Sequence, residues 1–174
     1  FGVYNADFWA YNPATNSWTK KADYPGVHRY QKIGIGVNGK DYVGTGSKIY
    51  LENTTNQIWI YDPLTNVWTK KKDFFDDLRY GAAVFNINNT LYLANGTGRL
   101  YNQSPGSNAG DGLTEDIWQY NEINDSWTEK RSLQYDYAKC SFSIAGTAYV
   151  LVEKYNYNVH LRKLALLAFD TVAK

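Results

Sequence analysis

The stretch that decides the fold is Ile58-Trp59-Ile60-Tyr61-Asp62-Pro63-Leu64-Thr65-Asn66-Val67-Trp68. Alternation with period two, β-branched and aromatic residues on both sides, and Asp-Pro-Leu-Thr-Asn between them read as two strands joined by a turn. Pro presets φ at the second turn position, while Asp and Asn side chains bond the backbone of the turn. The same pattern stands at Phe8-Trp9-Ala10-Tyr11-Asn12-Pro13 and at Ile117-Trp118-Gln119-Tyr120-Asn121-Glu122. In each copy a second Trp follows nine positions after the first: Trp18, Trp68 and Trp127. The chain is therefore a repeat, of 50 residues between Trp9 and Trp59 and of 59 between Trp59 and Trp118.

Working outward, Tyr30, Tyr80 and Tyr137 precede Tyr42, Tyr92 and Tyr149 by twelve residues each. Tyr30 to Val37 and Tyr80 to Asn86 predict a first strand, Asn38-Gly39 and Asn88-Asn89 a tight turn, and Tyr42 and Tyr92 a second strand. Each unit then holds four antiparallel strands. By position, residues 8–27 form a partial unit, 28–77 and 78–134 two whole units, and 135–174 a last partial one. In the last unit Leu167-Ala168-Phe169-Asp170 falls where Trp59-Ile60-Tyr61-Asp62 falls in its own repeat, which predicts a strand there. Thirteen strands are expected.

Composition narrows the function classes. The chain has 174 residues, 44% hydrophobic and 20% charged, with 16 Tyr, 6 Trp and 7 Phe. Such a chain can bury about 70% of the surface it exposes when unfolded. A net charge of +1 supplies no field for nucleic acid or an anionic membrane. One cysteine, Cys140, excludes an internal disulfide framework, and the longest apolar run, Leu164 to Phe169, is too short for a bilayer. A buried, inert thiol is the expectation for Cys140. Composition suits a secreted or cell-surface protein.

Second-strand Tyr and Gly followed by Trp-x-Tyr-Asp-Pro-x-Thr-Asn-x-Trp resembles the kelch repeat over nearly the whole chain. The double glycine of that repeat is here Thr45-Gly46, Asn95-Gly96 and Val152-Glu153. The resemblance implies an all-β fold, a kelch-type β-propeller segment of four-stranded antiparallel blades forming an open or incomplete ring. The remaining blades would come from the same polypeptide or another copy. It also implies that the Trp residues pack between blades, and that Tyr30, Tyr80 and Tyr137 belong to the framework.

Arg29 and Arg79 stand where kelch blades carry an arginine near the mouth of the central channel. A guanidinium there can hold an acidic ligand through two parallel hydrogen bonds, or can be a solvated or locally paired rim charge. Asp136 replaces Arg in the third unit. The Gly-rich insertion from Gly96 to Asp116 opens on the same rim and reads as a mobile loop, so Asn95, Arg99 and Asp116 join the two arginines as candidate binding residues. Asp111, Glu115 and Asp116 lack EF-hand spacing. His28 and His160 flank different units, which argues against a copper radical oxidase. No cofactor, metal or catalytic residue is assigned. A non-catalytic module binding a protein or glycan is the leading expectation, and a carbohydrate-active enzyme of the sialic acid mutarotase kind the alternative.

Overall fold

The computed structural model describes residues 5–26, 30–47, 55–74, 79–99, 111–130, 132, 137–156 and 160–169, with the backbone alone at 98–99, 111–113, 137 and 155–156. Among these residues every regular element is a strand, and every strand pairing is antiparallel.

β1 (Trp9–Asn12) and β2 (Ser17–Lys20) form a first, two-stranded sheet. β3 (Ile33–Val37), β4 (Lys40–Gly44), β5 (Ile58–Asp62) and β6 (Val67–Lys70) form a second sheet in chain order. β7 (Arg79–Tyr80) belongs elsewhere. The third sheet is β8 (Ala83–Ile87) and β9 (Thr90–Ala94) with β12 (Ile117–Asn121) and β13 (Ser126–Glu129). β10 (Thr97–Arg99) and β11 (Asp111–Leu113) pair with each other, and β10 also pairs with β7, in a small separate sheet. β14 (Tyr137–Ile144), β15 (Thr147–Asn156) and β16 (Leu161–Phe169) close the series.

The repeat in sequence is a repeat in register: Tyr11 faces Trp18, Tyr61 faces Trp68 and Tyr120 faces Trp127 across their hairpins. The tight turns follow from backbone chemistry. Asn38 and Gly39 (φ 50° and 71°), Asn88 and Asn89 (49° and 59°), and Ala145 and Gly146 (48° and 81°) each hold two successive positive φ angles. That is the two-residue hairpin that suits strand twist and that Asn and Gly enter at least cost.

The core lies in two layers. Ile33, Tyr42, Ile58 and Ile60 of the second sheet pack on Leu91, Leu93, Trp118 and Tyr120 of the third, and Phe85, Tyr92 and Ile117 pack on Val150 and Val152 of the last sheet.

The all-β expectation holds, and Trp59 and Trp68 lie on neighbouring strands of one sheet. Several readings need correction. Sixteen strands are present among the described residues, because both ends of the 96–116 insertion are strands where a mobile loop was expected, and because Arg79–Tyr80 pairs with one of them as a separate strand instead of opening β8. Residues 100–110, within that insertion, lie outside the described residues. The strand expected at Leu167-Ala168-Phe169 is present, and it begins earlier, at Leu161. Cys140 is exposed where a buried thiol was expected: a shift in register between Ala138 and Cys140 breaks the alternation of faces on β14 just there. Tyr30 is 54% exposed, and its backbone bridges to Ser47. Trp118 and Trp127 are buried, Trp59 and Trp68 half-buried, and Trp9 and Trp18 exposed, so the packing role expected for all six is met fully only in the third sheet.

Candidate functional site

The structure brings Arg79, Asn95 and Asp116 together. β7 supplies Arg79, the end of β9 leads into Asn95, and Asp116 directly precedes β12. The Arg79 guanidinium donates through Nη1 to Asp116 Oδ1 at 2.7 Å and through Nη2 to Asp116 Oδ2 at 2.8 Å. Nη1 also donates to the Asn95 carbonyl at 3.1 Å. Asp116 Oδ2 accepts in addition from Trp118 Nε1 at 2.6 Å. The guanidinium lies 4.7 Å from the centre of the Phe74 ring, a cation–π geometry.

Arg79 is fully buried and paired with Asp116, so it is the locally paired charge among the alternatives and not a solvated one. A bidentate pair under an aromatic ring is a fixed structural element, and removing one partner would strand the other charge. Backbone bonds tighten the same region: Asn95 N donates to Asp116 O at 2.9 Å, Thr114 N to Gly96 O at 3.1 Å, and Gly46 N to Arg79 O at 3.0 Å. Arg79 thus pins both ends of the insertion to the start of the third sheet. The backbone of Arg99 pairs with Asp111, while its side chain, like Arg29 entirely, lies outside the described residues, as do His28 and Asp136.

The Thr45-Gly46 and Asn95-Gly96 pairs carry a conformational cost. Thr45 and Asn95 take φ of 51° and 53°, followed by Gly46 at 99° and Gly96 at 118°. Asn tolerates this region, but a β-branched residue such as Thr is strained there. A Cβ on Gly96 would also lie 3.1 Å from the Tyr80 carbonyl oxygen.

Two cavities escape the sequence reading. One, of about 450 Å³, lies between the first long strands of three sheets and is lined by Lys32, Ala82, Lys139 and Ser141, with Cys140 at its wall. Lys139 pairs with Glu153 at 3.2 Å, and the Lys32 ammonium sits 4.4 Å from the centre of the Tyr24 ring. The other, of about 360 Å³, opens at the hairpin-turn end between the second and third sheets. There Glu122 accepts from Lys40 Nζ at 2.5 Å and from Tyr42 Oη at 3.1 Å. The Lys40 ammonium holds the Glu122 carboxyl below its ordinary value, and Glu122 in turn raises Lys40. Burial, with Glu122 beside it, pushes the Tyr42 hydroxyl up. The signal was present in the repeat, because Glu122 stands where the other two copies have Pro13 and Pro63. Among the described residues no group of three metal-ligating side chains occurs.

No protein-family model matches the chain, and no curated protein does. Among solved structures the fold is similar to that of YjhT, with a TM-score of 0.72 and 16% sequence identity over 95% of this chain. The chain spans 49% of the YjhT chain. At this identity the likeness defines the class of fold, an all-β array of antiparallel sheets.

Proposed function

We propose that the chain is an arc of a kelch-type β-propeller, its sheets being successive blades, and that the ring containing it is a carbohydrate-active enzyme of the sialic acid mutarotase kind. The architecture rests on one four-stranded meander repeated in one register. The likeness in fold to YjhT over nearly the whole chain supports the architecture, and the cavity with two lysines at its wall supports the enzyme reading. Because the chain spans about half of that structure, the activity belongs to the longer ring. The cavity between the first strands is within the range of about 300–1,000 Å³ that small-molecule sites occupy, and Lys32 and Lys139 put two cations at its wall, which a sugar carboxylate would reach in competition with the Tyr24 ring and Glu153. Mutarotation then needs only a positioned acid and base to open and reclose the sugar ring.

One observation favours a second reading. The Arg79 guanidinium is occupied by Asp116, so it does not present two open donors to a sugar carboxylate. A module that presents the rim loops to a protein or glycan, as part of a larger secreted or cell-surface protein, needs no such donors.

The test follows the equilibration of freshly dissolved N-acetylneuraminic acid anomers by proton NMR. The enzyme reading expects equilibration at least tenfold faster with the full ring that contains this chain than without it, and a loss of that acceleration when that ring carries Lys139→Ala. An unchanged rate together with binding on a glycan array would overturn it in favour of the module.

A further inference from the structure

Two junctions between sheets follow one rule, and a third position is built for it. At the first junction Asn66 Oδ1 accepts from the backbone amide of Ala22 at 2.9 Å and from Tyr61 Oη at 2.9 Å. Two residues on from Ala22, the Tyr24 ring lies edge-on to Trp68, at 5.2 Å and 79°. At the second junction Asp125 takes the place of Asn66. It accepts from the backbone amide of Lys72, at 3.1 Å and 3.0 Å, and from Tyr120 Oη at 2.7 Å. Two residues on from Lys72, Phe74 lies edge-on to Trp127, at 5.0 Å and 88°.

The inserted segments share a sequence, Lys20-Lys21-Ala22-Asp23-Tyr24 and Lys70-Lys71-Lys72-Asp73-Phe74. They also share an internal ion pair, Lys20 with Asp23 at 3.1 Å and Lys70 with Asp73 at 3.0 Å. The rule is therefore Lys-Lys-x-Asp-aromatic, with the amide of x on the turn side chain and the aromatic against the second Trp. The Trp indole is a looser part of it: Trp68 Nε1 donates to the Ala22 carbonyl at 2.9 Å, whereas Trp127 Nε1 has no hydrogen-bond partner among the described residues.

The first sheet carries the receiving half of this junction in finished form. Asn16 Oδ1 accepts from Tyr11 Oη at 2.9 Å. The Tyr11 and Trp18 rings lie 5.0 Å apart at 41°, against 5.1 Å and 47° for Tyr61 and Trp68 and 5.0 Å and 48° for Tyr120 and Trp127. Yet Trp18 is 65% exposed, while Trp127 is 6% exposed. We propose that the face formed by Trp9, Tyr11, Asn16 and Trp18 is a docking socket for the segment that follows the last strand of a further sheet of this repeat. That segment brings a backbone amide to Asn16 Oδ1 and, two residues later, a Phe or Tyr edge-on to Trp18. The inference rests on the arc reading and names the partner of its open face; it does not depend on any reaction with sugar.

The test titrates the acetylated, amidated pentapeptide Lys-Lys-Lys-Asp-Phe, the sequence of residues 70–74, into the protein up to millimolar concentration. The indole Nε1–H resonances are followed by NMR. The expected result is a saturable shift confined to Trp9 and Trp18, weakened at least fivefold by Asn16→Ala and abolished when the peptide's Phe is Ala. In a second arm the same pentapeptide, joined ahead of Phe1 through a flexible Gly-Ser linker, has a millimolar effective concentration. It is expected to protect Trp18 from acrylamide quenching several-fold. No shift and no protection, or equal effects from the Ala peptide, would overturn the proposal. So would a chain whose Trp18 is already covered through self-association, because a second copy would then be the occupant.

Discussion

Trp127 and Trp18 occupy the same position of the same motif, face the same Tyr across the same hairpin, and meet different surroundings. In the third sheet Phe74 seals the pair Trp118 and Trp127, with rings 5.5 Å and 5.0 Å away. Beneath Phe74 runs the Arg79 to Asp116 ion pair. In the first sheet no described residue plays that part, and Trp9 and Trp18 are 47% and 65% exposed. The difference teaches that the motif sets the shape of a hairpin, whereas its energetic weight comes from the neighbouring sheet. A tryptophan on the bare face has already forgone most of the roughly 1.5–3 kcal/mol that burial of a large apolar side chain contributes.

The largest effect that would sharpen this contrast comes from the ion pair. Arg79→Leu should destabilise by about 3–5 kcal/mol, because it leaves Asp116 uncompensated under the third sheet. Urea denaturation checks this, and a loss below about 1 kcal/mol would make the pair a rim charge after all. Asp125→Ala comes next. It strands the Lys72 amide and the Tyr120 hydroxyl, at a cost of about 1–3 kcal/mol, while Asn16→Ala in the first sheet should cost a few tenths of that. Equal losses in thermal melts would break the comparison. Thr45→Gly should raise stability by about 1 kcal/mol by relieving a β-branched residue at φ 51°. It also removes a buried hydroxyl that has no hydrogen-bond partner among the described residues.

The smallest effect is electrostatic. The folded-state value of Glu122 is lowered, so its contribution is present above its ordinary value of 4.5 and fades as pH falls through the lower folded value. The folded-state value of Lys40 is raised, so its contribution is present below 10.5 and fades as pH rises through the higher folded value. Lys40→Ala should therefore cost at most about 1 kcal/mol between those limits, as half-exposed pairs do, and nothing in strong acid. Melting curves at several pH values check this; a larger loss in acid would contradict it.

Much of the fold was legible in the sequence because a repeat supplies its own control. Three Trp pairs at one spacing define three hairpins, and Asn38-Gly39 states its turn outright. The site was less legible for physical reasons. Arg79 reads as a rim arginine until Asp116, 37 residues later, closes on it, and no local pattern announces a partner across an insertion. β10 and β11 are short, Gly-containing strands whose only apolar residue is Leu113, so period two has nothing to act on. Glu122 was the readable signal that went unused, as the one polar residue at a position where two copies hold Pro. The exposure of Trp18 depends on what lies beyond the first sheet, and the motif itself carries no mark of that.

The contrast between the two sheets is tested most directly by measuring Trp127→Ala and Trp18→Ala side by side in equilibrium urea denaturation. Removing the sealed Trp127 should cost about 3–5 kcal/mol, the scale for a buried aromatic. Removing the exposed Trp18 should change stability by no more than about 0.5 kcal/mol, the range of ordinary surface substitutions. Equal losses from the two variants would contradict the account, since the motif would then carry the energy wherever it stands.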